Sequence, residues 1–136
     1  MKTLIVYYSY SGHTKKIALA LAEKKSADIM EIEDVKRPMK LKAYTAGLLA
    51  AMRGKTRPIK PFTANMAEYD SLMLLSPVWA DNPPPAFNAL LEQLPEGKSV
   101  SLRMISASGK SGCKERLETA IKARGCTLES FENIKA

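Results

Sequence analysis

Apolar runs suited to β-strands alternate along this chain with segments whose apolar residues recur at helical spacing, and that alternation most constrains the fold. Thr3–Tyr8 is β-branched and aromatic, Asp28–Glu33 is a second strand with Ile29, Met30 and Ile32 as its inward candidates, Ser71–Leu75 is a short apolar run, and Ser99–Ser106 and Thr127–Glu132 complete five predicted strands. Between them, Thr14–Lys25 carries Ile17, Ala18, Leu21 and Ala22 on one helical face, and Gly112–Arg124 carries Cys113, Leu117, Ala120 and Ile121. The stretch "DNPPPAFNALLEQL" offers Asn82 as a cap, prolines for a first turn, and Phe87, Leu90, Leu91 and Leu94 at i, i+3, i+4 and i+7. A further short helix is expected around Leu41–Met52, weakened by Gly47. Strict β/α alternation implies parallel strands joined by right-handed crossovers, hence an α/β, three-layer doubly wound sheet of five parallel strands. The 136 residues suffice for one domain, residues 1–136.

Ligands of such sheets sit beyond the carboxyl ends of the strands. Three segments should therefore meet: residues 9–14, 76–82 and 106–112. The first offers the hydroxyls of Ser9, Ser11 and Thr14, with Tyr10 a further candidate, a permissive Gly12 and the free N–H groups of a helix start. That set suits a phosphate held by neutral donors and the helix dipole; a tight turn with an N-cap is the plainer alternative. His13, the only histidine, could add one hydrogen bond and is assigned no acid-base role. The second segment, "SPVWADNPPP", carries the only tryptophan, Trp79, either a cap on the core or an aromatic platform for a planar ring. The third, "SASGKSG", is not a P-loop, because the glycine required five residues before Gly109 falls at Met104. It remains a small-residue loop that a flat ring edge can approach.

Charge is local. Lys36, Arg37, Lys40, Lys42, Arg53, Lys55, Arg57 and Lys60 lie in one stretch without a single acidic residue, leaving the rest with 13 basic and 14 acidic residues. The stretch is either a solvated connection or a landing surface for an acidic partner, a phosphate-bearing cofactor or a polyanion. Cys113 and Cys126 have no metal-ligand or CxxC spacing, so a buried or bystander thiol is expected and no metal site is. No apolar run approaches the roughly 18 residues of a membrane span. The N-terminus lacks a cleavage pattern, and a cytoplasmic location is expected.

Taken together, "YYSYSGHTKKIA", "SPVWADNPPPAF" and the small loop after the fourth strand resemble the flavodoxin-like FMN proteins, from residue 3 to about 132. Gly12-His13-Thr14 is similar to the branch containing NAD(P)H:quinone oxidoreductases. The resemblance implies strand order 2-1-3-4-5 and FMN as cofactor. Its phosphate would lie on Ser9, Ser11, Gly12, His13 and Thr14, its ring along Pro77, Val78, Trp79 and Ala80, and its pyrimidine side on Ser106, Ala107, Ser108 and Gly109. It implies electron transfer, either to a redox partner protein or to a small acceptor such as a quinone with NAD(P)H as donor. A flavin-free module using residues 36–60 to contact a polyanion is the alternative.

Three departures from the family carry expectations. The loop after the fourth strand lacks a second aromatic, leaving one ring face open, as suits a reductase. Where a glycine often stands, this chain has Ala80-Asp81, and alanine resists φ > 0 by roughly 1–2 kcal/mol. Only Asn133–Ala136 follow the fifth predicted strand, so the usual terminal helix is expected to be missing, with apolar surface beside Thr14–Lys25 and a homodimer covering it.

Overall fold

The chain runs β1 (Thr3–Tyr8), α1 (His13–Lys25), β2 (Asp28–Ile32), α2 (Leu48–Met52), a 3₁₀ turn (Met66–Glu68), β3 (Ser71–Pro77), α3 (Pro85–Leu91), β4 (Ser99–Ser106), α4 (Lys114–Ala123) and β5 (Thr127–Lys135). These elements come from a computed structural model that describes residues 2–36, 46 and 48–136. All five strands are parallel and form one sheet in the order β2-β1-β3-β4-β5, as the resemblance implies. Residues 41–45 and 47 of the expected helix around Leu41–Met52 lie outside the described residues, as do Arg37, Lys40 and Lys42 of the basic stretch.

β1 is central, pairing with β2 through Leu4–Tyr8 and with β3 through Thr3–Tyr7. A strand covered on both faces must be apolar at every position, and Leu4 through Tyr8 are all buried. Alternation sorts them. Leu4, Val6 and Tyr8 face one core with Leu72, Leu74, Leu102 and Met104, covered by Phe87, Leu90 and Leu91 of α3 and Leu117 and Ile121 of α4. Ile5 and Tyr7 face the other with Met73, Leu75 and Ile105, covered by Ala18, Ile17 and Leu21 of α1.

Two helix boundaries differ from expectation. α3 begins after Pro84, with proline in its first turn as predicted, but Asn82 does not cap it and pairs with Trp79 instead. It closes at Leu91, so the buried Leu94 lies beyond its end, before Pro95. α4 spans Lys114–Ala123 rather than Gly112–Arg124.

β5 is longer than predicted, reaching Lys135, and no helix follows it among the described residues. The surface expected to be apolar there is polar over β4 and β5. On the α1 side of the sheet, Ser101 and Arg103 are in register with Ser130 and Glu132, and Arg103 Nε lies 3.4 Å from Glu132 Oε2. Leu19 is the single large apolar residue of α1 that is markedly exposed. Polar alternation along β4 thus makes the face beside α1 polar at Ser101 and Arg103, where apolar surface was expected.

Candidate functional site

Because every strand is parallel, the loops after β1, β3 and β4 emerge at one end of the sheet. They touch. Tyr10 packs its ring edge-on against Trp79 with centroids 5.7 Å apart, and a Cβ placed on Gly112 would lie 3.7 Å from Asp81. The three expected segments therefore form one continuous rim.

In the first loop, the Gly12 N–H donates to Ser9 Oγ at 3.1 Å, and Gly12 turns the chain at φ 102° into α1. An L-side chain rarely takes that conformation, which is why glycine stands here. α1 starts with no side-chain cap and no acidic residue in its first turn. Its N-terminal N–H groups and the positive end of its dipole are thus available to an anion. Ser11, Gly12 and His13 are exposed around this helix start, Ser9 and Tyr10 are half-buried, and Thr14 is buried beneath them.

The second loop is a two-residue reversal. Trp79 N–H donates to Asn82 O at 2.6 Å and Asn82 N–H returns to Trp79 O at 3.0 Å, with Ala80 at φ 49° and Asp81 at φ 66°. Two central residues at φ > 0 define a type I′ turn. Alanine therefore already occupies the conformation that the sequence suggested it would resist. The Asn82 amide donates to Ala80 O at 2.9 Å and its Oδ1 accepts from Arg116 Nε of α4 at 3.2 Å. Pro77, Val78 and Trp79 are half-buried and Ala80 is exposed. Trp79 meets Tyr8 and Tyr10 edge-on and packs against the core, leaving part of its ring at the rim.

In the third loop, Ser106 Oγ accepts from the N–H groups of Gly109 and Lys110 at 3.0 and 3.2 Å, while Ser108 Oγ also accepts from Lys110 at 3.2 Å. The Ser106 hydroxyl thus helps close its own loop. The loop presents the exposed Ala107 and Ser108 and a backbone kept open by Gly109 at φ 71°.

Behind the rim lies a buried polar group with no sequence forewarning. Tyr8 OH donates to Asp34 Oδ2 at 2.6 Å, and Arg57 Nε stands 3.6 Å from Asp34 Oδ1, close enough for charge attraction without a hydrogen bond. A cavity of about 180 Å³ beside it is lined by Tyr8, Ser9, Glu31, Glu33, Asp34 and Lys60. A larger hollow of about 510 Å³ lies between Lys2, Thr3, Lys25 and Asp28, at the amino ends of the strands and away from the three loops. Both thiols are free and buried, and burial pushes the Cys113 thiol upward in pKa. Burial and the neighbouring Glu31 push Tyr7 up to about 12, so it stays protonated and donates to Glu31 Oε1 at 3.2 Å.

Asn82, Asn88 and Arg116 are the rim residues that sequence reasoning missed as a set. Arg116 joins them, with its Nη2 3.5 Å from Asn88 Oδ1, and nothing in their spacing announces this.

Residues 2–128 match the flavodoxin family, and the chain belongs to that family. It is similar to a flavoprotein from Lactobacillus acidophilus solved in complex with FMN, with a TM-score of 0.80 and 25% identity over 96% of this chain and 91% of that one. An oxidised flavodoxin 2 from Bacillus cereus aligns over 100% of this chain and 86% of its own, with 22% identity and a TM-score of 0.56. A flavodoxin from Streptococcus pneumonia shares 16% identity at a TM-score of 0.57, over 100% of this chain and 87% of its own. Among curated proteins none matches. Among the described residues no helix is long and apolar enough to cross a membrane.

Proposed function

We propose that this chain binds FMN on the rim formed by the three loops and works in electron transfer. The observation that carries this is the uncapped, acid-free N-terminus of α1, approached by a hydroxyl-bearing loop and joined through Tyr10 to Trp79. The donor set fits a monophosphate ester: neutral hydroxyls, backbone N–H groups and a helix dipole supply directed donors without a metal. Bound FMN supplies the electron chemistry, and the chain supplies binding, orientation and electrostatics. Ser9, Ser11, Gly12, His13 and Thr14 are the residues for the phosphate. Pro77, Val78, Trp79 and Ala80 would line the ring, and Ser106, Ala107, Ser108 and Gly109 its pyrimidine edge.

No aromatic side chain stands in residues 106–112, and Ala107 and Ser108 are small and exposed. That favours an accessible ring face, hence a reductase acting on a small acceptor such as a quinone with NAD(P)H as donor, over a carrier serving protein partners alone. A cytoplasmic location accords with this role. Titration with FMN and with riboflavin tests the proposal. The expected result is a yellow complex with FMN and much weaker binding of riboflavin, which lacks the phosphate. A colourless protein with affinity for neither ligand would refute it and favour the flavin-free alternative. NADPH oxidation with and without a quinone then separates reductase from carrier.

A further inference from the structure

Four large apolar residues are markedly exposed among the described residues: Leu19, Val35, Leu49 and Met52. Three of them lie in the basic stretch or directly beside it, close in sequence to the exposed Lys36, Arg53 and Lys55. Backbone pairing holds this surface together. Val35 N–H donates to Pro58 O at 3.1 Å and Lys60 N–H to Glu33 O at 2.8 Å, laying residues 33–36 antiparallel to 57–60. Arg53 and Lys55 bond back to Leu49 O and Ala50 O, folding the chain over the end of α2. Of the described cations here, Arg57 is paired with Asp34, while Lys36, Arg53, Lys55 and Lys60 form no ion pair with a described residue.

The same surface is fastened to the rim. Asn88 Nδ2 donates to Lys55 O at 2.9 Å, and a Cβ on Gly54 would come within 3.3 Å of the Arg116 guanidinium. Arg116 in turn bonds Asn82 of the Trp79–Asn82 turn.

We propose that the face carrying Val35, Lys36, Leu49, Met52, Arg53 and Lys55 is the docking surface for an acidic protein partner. This rests on the FMN reading above, because continuity through Arg116 places such a partner beside the proposed flavin rim. Cations of one sign that form no ion pair with a described residue call for an anionic partner, and apolar side chains set among charged ones are the arrangement of a protein interface. Single-stranded nucleic-acid surfaces instead combine cations with stacking aromatics, and no exposed aromatic lies on this face among the described residues; duplex DNA, bound by cations alone, is an outcome of the test.

The test uses a plant-type [2Fe–2S] ferredoxin as acidic probe and cytochrome c as basic comparator, with stopped-flow association measured from about 0.01 to 0.15 M ionic strength. The wild type should associate with the ferredoxin, more slowly as salt rises, and not with cytochrome c. The triple variant Lys36→Glu, Arg53→Glu, Lys55→Glu should lose at least about tenfold in association rate at low salt. Met52→Ser should speed dissociation and leave the salt slope unchanged. Ferredoxin association indifferent to the triple reversal would overturn the proposal. So would tighter binding of the wild type to duplex DNA or phosphatidylserine vesicles than to the ferredoxin at equal salt. If the triple variant misfolds, Lys36→Gln, Arg53→Gln, Lys55→Gln takes its place, with the same direction expected. FMN titration of the same preparations keeps the two readings apart. Intact FMN binding without docking overturns this proposal alone, and docking without FMN binding overturns the flavin assignment alone.

Discussion

Ala80 is the position at which the backbone and the side chain disagree most plainly. At φ 49° its Cβ crowds the neighbouring carbonyl, which costs an L-residue about 1–2 kcal/mol relative to glycine in the same geometry. Glycine returns roughly 0.5–1 kcal/mol of that through the larger entropy of its unfolded state. Ala80→Gly should therefore stabilise the fold by about 0.5–1 kcal/mol. Nothing else is lost, because Ala80 is exposed and its carbonyl, which accepts from Asn82 Nδ2 at 2.9 Å, is retained. Urea unfolding is the assay: the midpoint should rise with the slope unchanged, and the melting temperature should rise by about 2–4 °C. Asp81 at φ 66° provides an internal comparison. Aspartate tolerates the left-handed region better than alanine, so Asp81→Gly should gain less. A lower midpoint for Ala80→Gly, or equal gains at both positions, would refute the assignment of strain to residue 80.

Thr14→Ala should weaken FMN by at least about tenfold while leaving riboflavin nearly unchanged, the loss of one hydrogen bond to a charged group; equal losses would move the phosphate elsewhere. Tyr8→Phe removes the 2.6 Å donor to buried Asp34 Oδ2 and should cost about 1–3 kcal/mol in chemical denaturation. Tyr7, whose folded pKa is raised to about 12 from the ordinary 10.0 of an unfolded tyrosine, contributes stability that is fully present below pH 10.0 and declines as pH rises toward 12. Tyr7→Phe should flatten that alkaline limb, and an unchanged limb would show that Tyr7 does not titrate as argued. Sedimentation should show a monomer of 15.0 kDa at micromolar concentration, because the β4–β5 surface is polar; a dimer there would require a different contact face.

What could be read from the sequence and what could not follow from the range of the forces involved. β1 was legible because a strand buried on both faces must be apolar at every position from Leu4 to Tyr8, and α1 because Ile17, Ala18 and Leu21 repeat at helical spacing. Once the strands are parallel, the loops after β1, β3 and β4 must emerge together, so the meeting of Tyr10, Trp79 and Asp81 with Gly112 followed from topology alone. The Asn82–Arg116–Asn88 linkage was not legible, since it joins residues up to 34 positions apart through side-chain amides that carry no periodic signal. Asn82 before a proline run looked like a cap, yet Pro84 precedes α3 and the amide closes the turn instead. The polar β4–β5 face was present in the alternation of Ser99, Ser101 and Arg103 with Val100, Leu102 and Met104. That alternation means one buried and one polar face, and on such a strand the polar side needs no covering helix. The same principle bears on the basic stretch: its polar side chains need no burial, but Val35, Leu49 and Met52 gain nothing from water, and their exposure beside cations is what a bound partner would relieve.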